Sequence, residues 1–130
     1  IVTVRDPVEG GARALSFSER EALYFELLPA AAAVDVEVRN LKAFGAVVKA
    51  AHTAGVPVIA SSHDFEKTPS RAALRRTAAR ARNLGATCVK FAATPRSAGD
   101  LAVLLSLFEE GNGPLAVMGM GSFGRISRLL

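Results

Sequence analysis

The chain has 130 residues, 50% of them apolar and 22% charged, with 6 Pro; this is the balance of a soluble globular domain, far from disordered or collagen-like composition. It contains no apolar run of the ~18 residues that would span a membrane, no basic-then-apolar leader, and only Cys88, which excludes an internal disulfide framework and makes the cytoplasm the default location. The net charge of +4 and pI near 9.8 raise a nucleic-acid partner, but no aromatic interleaving, helix-turn-helix or zinc spacing accompanies them, so a small anionic ligand is the better match.

The first predicted strand is Ile1 to Val4, followed by the Pro/Gly loop "RDPVEGG". A helix is expected from Ser18, whose "SERE" makes a capping box with Glu21, through "ALYFELL" to Pro29. "AVDVEVR" reads as the second strand. "LKAFGAVVKAAHTAG" reads as the next helix, stopped by Gly55 in the left-handed conformation. "VPVIASS" is the third strand, ending in the charged stretch "SSHDFEKTP". The arginine-rich helix then runs from an N-cap at Ser70 to Gly85, with Arg71, Arg75, Arg76, Arg80 and Arg82 on a solvated face. "ATCVKFA" is the fourth strand, and "SAGDLAVLLSLFEEG" a helix opened by a capping box from Ser97 to Asp100. "PLAVMGM" is the fifth strand, and "GSFGRISRLL" begins a further helix. Residues 1–130 form a single domain. The chain starts with Ile inside a strand and stops without a closing signal, as a piece of something longer would.

Strands alternating with helices predict parallel βαβ units. A doubly wound sheet would carry G-x-G-x-x-G after an early strand; here Gly119, Gly121 and Gly124 match that spacing only after the fifth. A (β/α)8 barrel has separate support, since Arg5, Glu37, His63, Lys90 and Met120 fall at or near the C-terminal ends of successive strands. In a barrel those ends converge on one site. A barrel usually needs about 250 residues, so about five units here make an incomplete one.

Lys90 is the sharpest chemical signal. Val89 and Phe91 share one face of its strand, and Cys88, Lys90 and Ala92 share the other. An amine partly stripped of water gives up its proton more readily, and a neutral amine is what Schiff-base formation requires. A lysine snorkelling to solvent or pairing a carboxylate is the simpler alternative. His63, one unit upstream on what should be the neighbouring strand, is the side chain suited to proton transfer near neutral pH; a strand-end histidine bonded to backbone would look the same. Glu9 could orient it. Arg5 and Arg128 could fork a carboxylate or hydroxyls. Met118 and Met120 read as pocket wall or core, Cys88 as a small buried residue and His52 as surface. No His/Cys/Asp/Glu cluster has metal-ligand spacing, and metal-free chemistry is expected.

Taken together, "TVRDPVEGG", "VDVE", "VIASSHDFEKTP", "VKFAATP" and "VMGMGSFGRISRL", in that order across the whole chain, resemble the type I 3-dehydroquinate dehydratase family, Schiff-base (β/α)8-barrel lyases of the shikimate pathway. The resemblance implies an α/β TIM barrel represented here by strands 3 to 7. It implies dehydration of 3-dehydroquinate to 3-dehydroshikimate, with Lys90 forming an imine at the C3 ketone, His63 as general base and acid, and Glu9 setting its orientation. Arg128 would clamp the substrate carboxylate and Arg5 its hydroxyls, Met118 and Met120 would wall the pocket, and Glu37 would lie among the substrate-binding residues. No cofactor, no metal, no nucleic acid and no membrane is implied; a homodimer is left open. The family's first two strands, with an acid and an arginine that contact substrate, and its last strand and lid loop have no counterpart here, so the chain alone is expected to be weakly active or inactive. Another Schiff-base lyase or aldolase, or an inactive barrel fragment acting by association, are the alternative readings.

Overall fold

In a computed structural model, which describes residues 1–128 apart from the side chains of Glu110 and Arg128, five strands form one parallel sheet. These are β1 (Val2–Thr3), β2 (Val34–Glu37), β3 (Val58–Asp64), β4 (Cys88–Ala93) and β5 (Leu115–Gly119), and their spatial order is their chain order. A doubly wound sheet reverses its strand order at a switch point. There is no reversal here, and the strands follow one another as barrel staves do. The helices α1 (Phe17–Leu27), α2 (Gly45–Thr53), α3 (Arg71–Asn83), α4 (Ala98–Leu105) and α5 (Gly121–Gly124) fill the crossovers and follow β5. Among the described residues no helix is long and apolar enough to cross a membrane.

Strand alternation divides the sheet into two chemically distinct faces. Val34 and Val36 of β2, Val58 and Ala60 of β3, and Val89 and Phe91 of β4 are at most 2% exposed and belong to the main core. The same core takes in Val47, Val48 and Ala51 from α2, and Leu74, Ala78 and Ala81 from α3. The register aligns Glu37 with Ser61, Ser61 with Lys90 and Lys90 with Ala116, so the opposite face carries the polar residues. Parallel strands are ordinarily apolar on both faces. Charge on one of them marks where the protein does something other than fold.

Several element boundaries differ from the sequence expectation. α1 is capped by Ser16, not Ser18: the Ser16 hydroxyl accepts from the Glu19 amide at 3.3 Å, and the Glu19 carboxylate accepts from the Ser16 amide at 2.8 Å. Both serines satisfy the capping pattern. What fixes the phase is that Arg20 and Tyr24, one turn apart, are the buried pair of this helix. α2 starts only at Gly45, because residues 38–44 wind in turns with Leu41 and Phe44 in the core and the Asn40 amide donating to Asp6 and Glu37. Gly55 has a φ of 69°, the left-handed stop expected there. Ser97 does cap α4, but Asp100 reaches one residue further back, to the Arg96 amide at 2.8 Å. That helix tightens to a 3-10 turn over Ser106–Glu110.

The G-x-G-x-x-G spacing has a packing explanation. A Cβ on Gly124 would overlap the Gly119 carbonyl group, so the end of β5 and α5 touch backbone to backbone. Ser127 locks the contact, accepting from the Gly119 amide at 2.8 Å and donating to the Gly124 carbonyl at 2.6 Å.

Candidate active site

The loop after β1 folds back over the C-terminal end of the sheet. Asp6 caps a 3-10 turn over Pro7–Glu9, Gly10 closes it in the left-handed conformation, and Gly11 packs so tightly on the Arg5 carbonyl that no side chain fits. The turn delivers Glu9, 9% exposed, to β3. One carboxylate oxygen, Oε2, accepts from the His63 backbone amide at 3.0 Å and lies 2.9 Å from His63 Nδ1. A carboxylate can only accept, so this contact places the ring proton on Nδ1 and leaves Nε2 to act as a base. Phe65 stacks near the ring, with centroids 6.4 Å apart, and leans over Gly10.

The Asp64 side chain shapes the loop after the histidine. Asp64 Oδ1 accepts from the Glu66 and Lys67 amides at 3.0 and 2.9 Å, and Thr94 ties the loop to the end of β4 through the Asp64 carbonyl.

Lys90 lies on the neighbouring strand and the same face, two register positions before the Ala92 that aligns with His63. Its side chain is 25% exposed, and Nζ lies 3.6 Å from Asp35 Oδ2. The lysine is therefore paired rather than merely desolvated, and the partner is a residue the sequence did not single out. Cys88, the next residue toward the start of β4 on that face, is no rival nucleophile: burial pushes its thiol pKa up and keeps it protonated.

Around this centre lies a dense ion network. Arg5 reaches Asp35 Oδ2 at 3.1 Å, Glu37 Oε1 at 3.6 Å and the Ser61 hydroxyl at 2.6 Å. Ser61 in turn donates to Asp35 Oδ1. Glu37 is fully buried, and both its oxygens are engaged: Oε2 accepts from Arg20 at 2.7 Å and Asn40 at 3.3 Å, and Oε1 accepts from the Asp6 amide at 2.8 Å. It thus acts as an anchor for two arginines. Arg20, 5% exposed, also donates twice to the Val4 carbonyl and lies over the Phe44 ring. The Asp6 carboxyl is held below its usual range by the Val8 amide, then by Asn40 and Arg20.

Met118 is half-buried and aligns with Ala92, and Met120 follows β5 with its amide on the Ala93 carbonyl at 2.7 Å, so both fall on the polar face. Arg128 ends a 3-10 turn over Ile126–Arg128, and its side chain lies outside the described residues. The structure thus brings Arg5, Glu9, Glu37, His63, Lys90, Met118 and Met120 to one face. His52 stays at the surface, as read, where it bonds the Gly85 carbonyl at 2.7 Å. The residues missed are Asp35, Arg20 and Ser61. The available signal for Asp35 was its spacing from Glu37, which puts two acids on one face of a parallel strand.

A family model described as type I 3-dehydroquinase matches residues 1–130. A 3-dehydroquinate dehydratase of Listeria monocytogenes serovar 1/2a is 38% identical over 140 aligned residues, covering 99% of this chain and 54% of that protein. A catabolic 3-dehydroquinate dehydratase of Acinetobacter baylyi is 35% identical, with 99% and 50% covered. Among solved structures, the type I 3-dehydroquinate dehydratase of Clostridium difficile with covalently modified comenic acid superposes with a TM-score of 0.90 at 34% identity, covering 98% of this chain and 53% of that one. The 3-dehydroquinate dehydratase of Geobacillus kaustophilus gives 0.90 at 30%, covering 98% and 52%. The chain spans about half the length of the curated relatives it matches.

Proposed function

The chain belongs to the type I 3-dehydroquinase family, and from that premise we propose that it supplies the catalytic core of a lyase converting 3-dehydroquinate to 3-dehydroshikimate, a step of aromatic biosynthesis through the shikimate pathway. The observation that carries the reading is the placement of Lys90 and the His63–Glu9 pair on adjacent strands and the same face.

The Lys90 amine attacks the C3 ketone, and the carbinolamine loses water to give an iminium. The iminium draws electrons from C2, so the C2 proton becomes acidic enough for His63 to remove. The electron pair returns through the enamine as the C1 carbon–oxygen bond breaks. His63, now carrying the proton, delivers it to the departing hydroxyl as water. Hydrolysis of the product imine frees Lys90. Glu9 keeps the His63 proton on Nδ1 throughout, which fixes Nε2 as the catalytic nitrogen. Arg5 contacts the substrate hydroxyls, Arg128 clamps its carboxylate, and Met118 and Met120 form the pocket wall. Glu37 serves through Arg5.

The test is reduction with borohydride in the presence of 3-dehydroquinate, using the chain with any flanking sequence its gene supplies, followed by peptide mass. The expected product is a ligand adduct confined to Lys90. An adduct that forms only with other ketones would point to an aldolase instead, and a fully folded protein with no adduct would sink the Schiff-base reading.

A further inference from the structure

We propose that Asp35 is a positioning residue that aims the Lys90 nitrogen, balances the positive charge that nitrogen carries once the iminium has formed, and couples it to Arg5. The assignment rests on the Schiff-base reading above and adds to it a group that reading does not use.

Asp35 is 3% exposed, and its two oxygens are differently employed. Oδ2 is shared between Lys90 Nζ at 3.6 Å and Arg5 Nη2 at 3.1 Å, while Oδ1 accepts from the Ser61 hydroxyl. Ser61 is itself fully buried and accepts from Arg5 Nη1. The carboxylate is therefore aimed by a hydroxyl strut and an arginine, with its remaining capacity pointing at the lysine. Without it, two cations would face each other in a poorly hydrated site. The other oxygen-rich neighbour cannot substitute, because Glu37 is already committed to Arg20, Asn40 and the Asp6 amide. Among the described residues, the charged or titratable groups on the face of Lys90 are Arg5 from the β1 loop, Asp35 and Glu37 from β2, His63, backed by Glu9, from β3, and Cys88 from its own strand.

A buried acid that only braced the sheet would not alter when the amine loses its proton. Asp35→Asn keeps the shape and removes the charge. The first readout is the pH dependence of Lys90 arylation by trinitrobenzenesulfonate, quantified by peptide mass, which requires no substrate. Removing the negative charge beside the nitrogen leaves it easier to deprotonate, so at a given pH on the rising part of the profile arylation should be faster than in the parent protein. The second readout is steady-state turnover of 3-dehydroquinate, in which kcat should fall about tenfold or more while KM changes less, with partial recovery in Asp35→Glu. An arylation profile that superposes on that of the parent protein overturns the proposal. Should Asp35→Asn fail to fold, Asp35→Glu carries the test: it displaces the carboxylate while keeping its charge, so imine trapping should slow, and an unchanged rate overturns the proposal. Absence of any 3-dehydroquinate adduct in the parent protein would refute the proposed function, while the arylation profile would still decide for or against Asp35.

Discussion

At the scale of single residues, the polar face separates groups that would meet substrate from groups that hold them. His63 is positioned twice by one oxygen of Glu9, through its backbone amide and its ring. If it carries both proton transfers, His63→Ala should lower kcat by about 10²–10⁴, while the Lys90 adduct still forms with borohydride, only more slowly. Glu9→Gln keeps the shape but can present its amide nitrogen to the ring, so it should cost less than His63→Ala and give a pH profile of kcat that differs from the parent's. Steady-state rates across pH check both; a Glu9→Gln profile identical to the parent's would remove Glu9 from the mechanism. His63 and Lys90 were legible because each breaks its strand's apolar pattern. Asp35 was not: "VDVEVR" alternates like a half-solvated strand, and periodicity alone cannot tell a solvent face from a barrel interior. Arg20 was hidden for a related reason, since an arginine in the first turn of a helix is ordinarily at the surface and its burial follows only from tertiary partners.

At the scale of elements, α1 acts as a stitch between strands. Tyr24 accepts from the Val4 amide at 3.3 Å and donates to the Asp35 carbonyl at 2.7 Å, tying β1 to β2 just beneath the ion network. Tyr24→Phe strands a buried backbone donor and acceptor, and should cost about 1–3 kcal/mol in urea unfolding. Burial, against the opposing effect of the Val4 hydrogen bond, pushes the Tyr24 phenol up to about 12 from its ordinary 10.0. The folded state thus binds this proton more tightly than the unfolded chain. Its contribution is complete below pH 10 and is lost as pH rises through about 12, up to about 3 kcal/mol in all. Stability measured from pH 9 to 12 should fall more steeply in the parent than in Tyr24→Phe. The contact between β5 and α5 makes a separate prediction. Gly124→Ala drives a methyl into the Gly119 backbone, and should destabilise by about 3 kcal/mol or more. Which elements form was readable from sequence, because hydrophobic periodicity sets them; where they begin was less so, because competing caps such as Ser16 and Ser18 are resolved by which residues the core accepts.

At the scale of the molecule, β1 and β5 are the edges of the described sheet, and the face between them is polar at its C-terminal end and half-buried. The order of the strands and their shared face could be anticipated from alternating βαβ units, since chain order is the simplest arrangement such units adopt. Whether five strands suffice for chemistry is a different question. Positioning within about an ångström governs rate, and one ångström of misplacement can cost about 10²-fold. Unpaired parallel edges also invite association with other chains. The relatives matched here are about twice as long, with this chain covering 54% of one and 53% of a solved structure. The 130-residue chain expressed by itself is therefore expected to consume 3-dehydroquinate at least about 10²-fold more slowly than the same chain with any flanking sequence its gene supplies, and to elute in size-exclusion chromatography as more than a monomer. Turnover by the 130-residue chain within tenfold of that reference, from a monomeric peak, would mean that the five-strand arc is itself a sufficient active site.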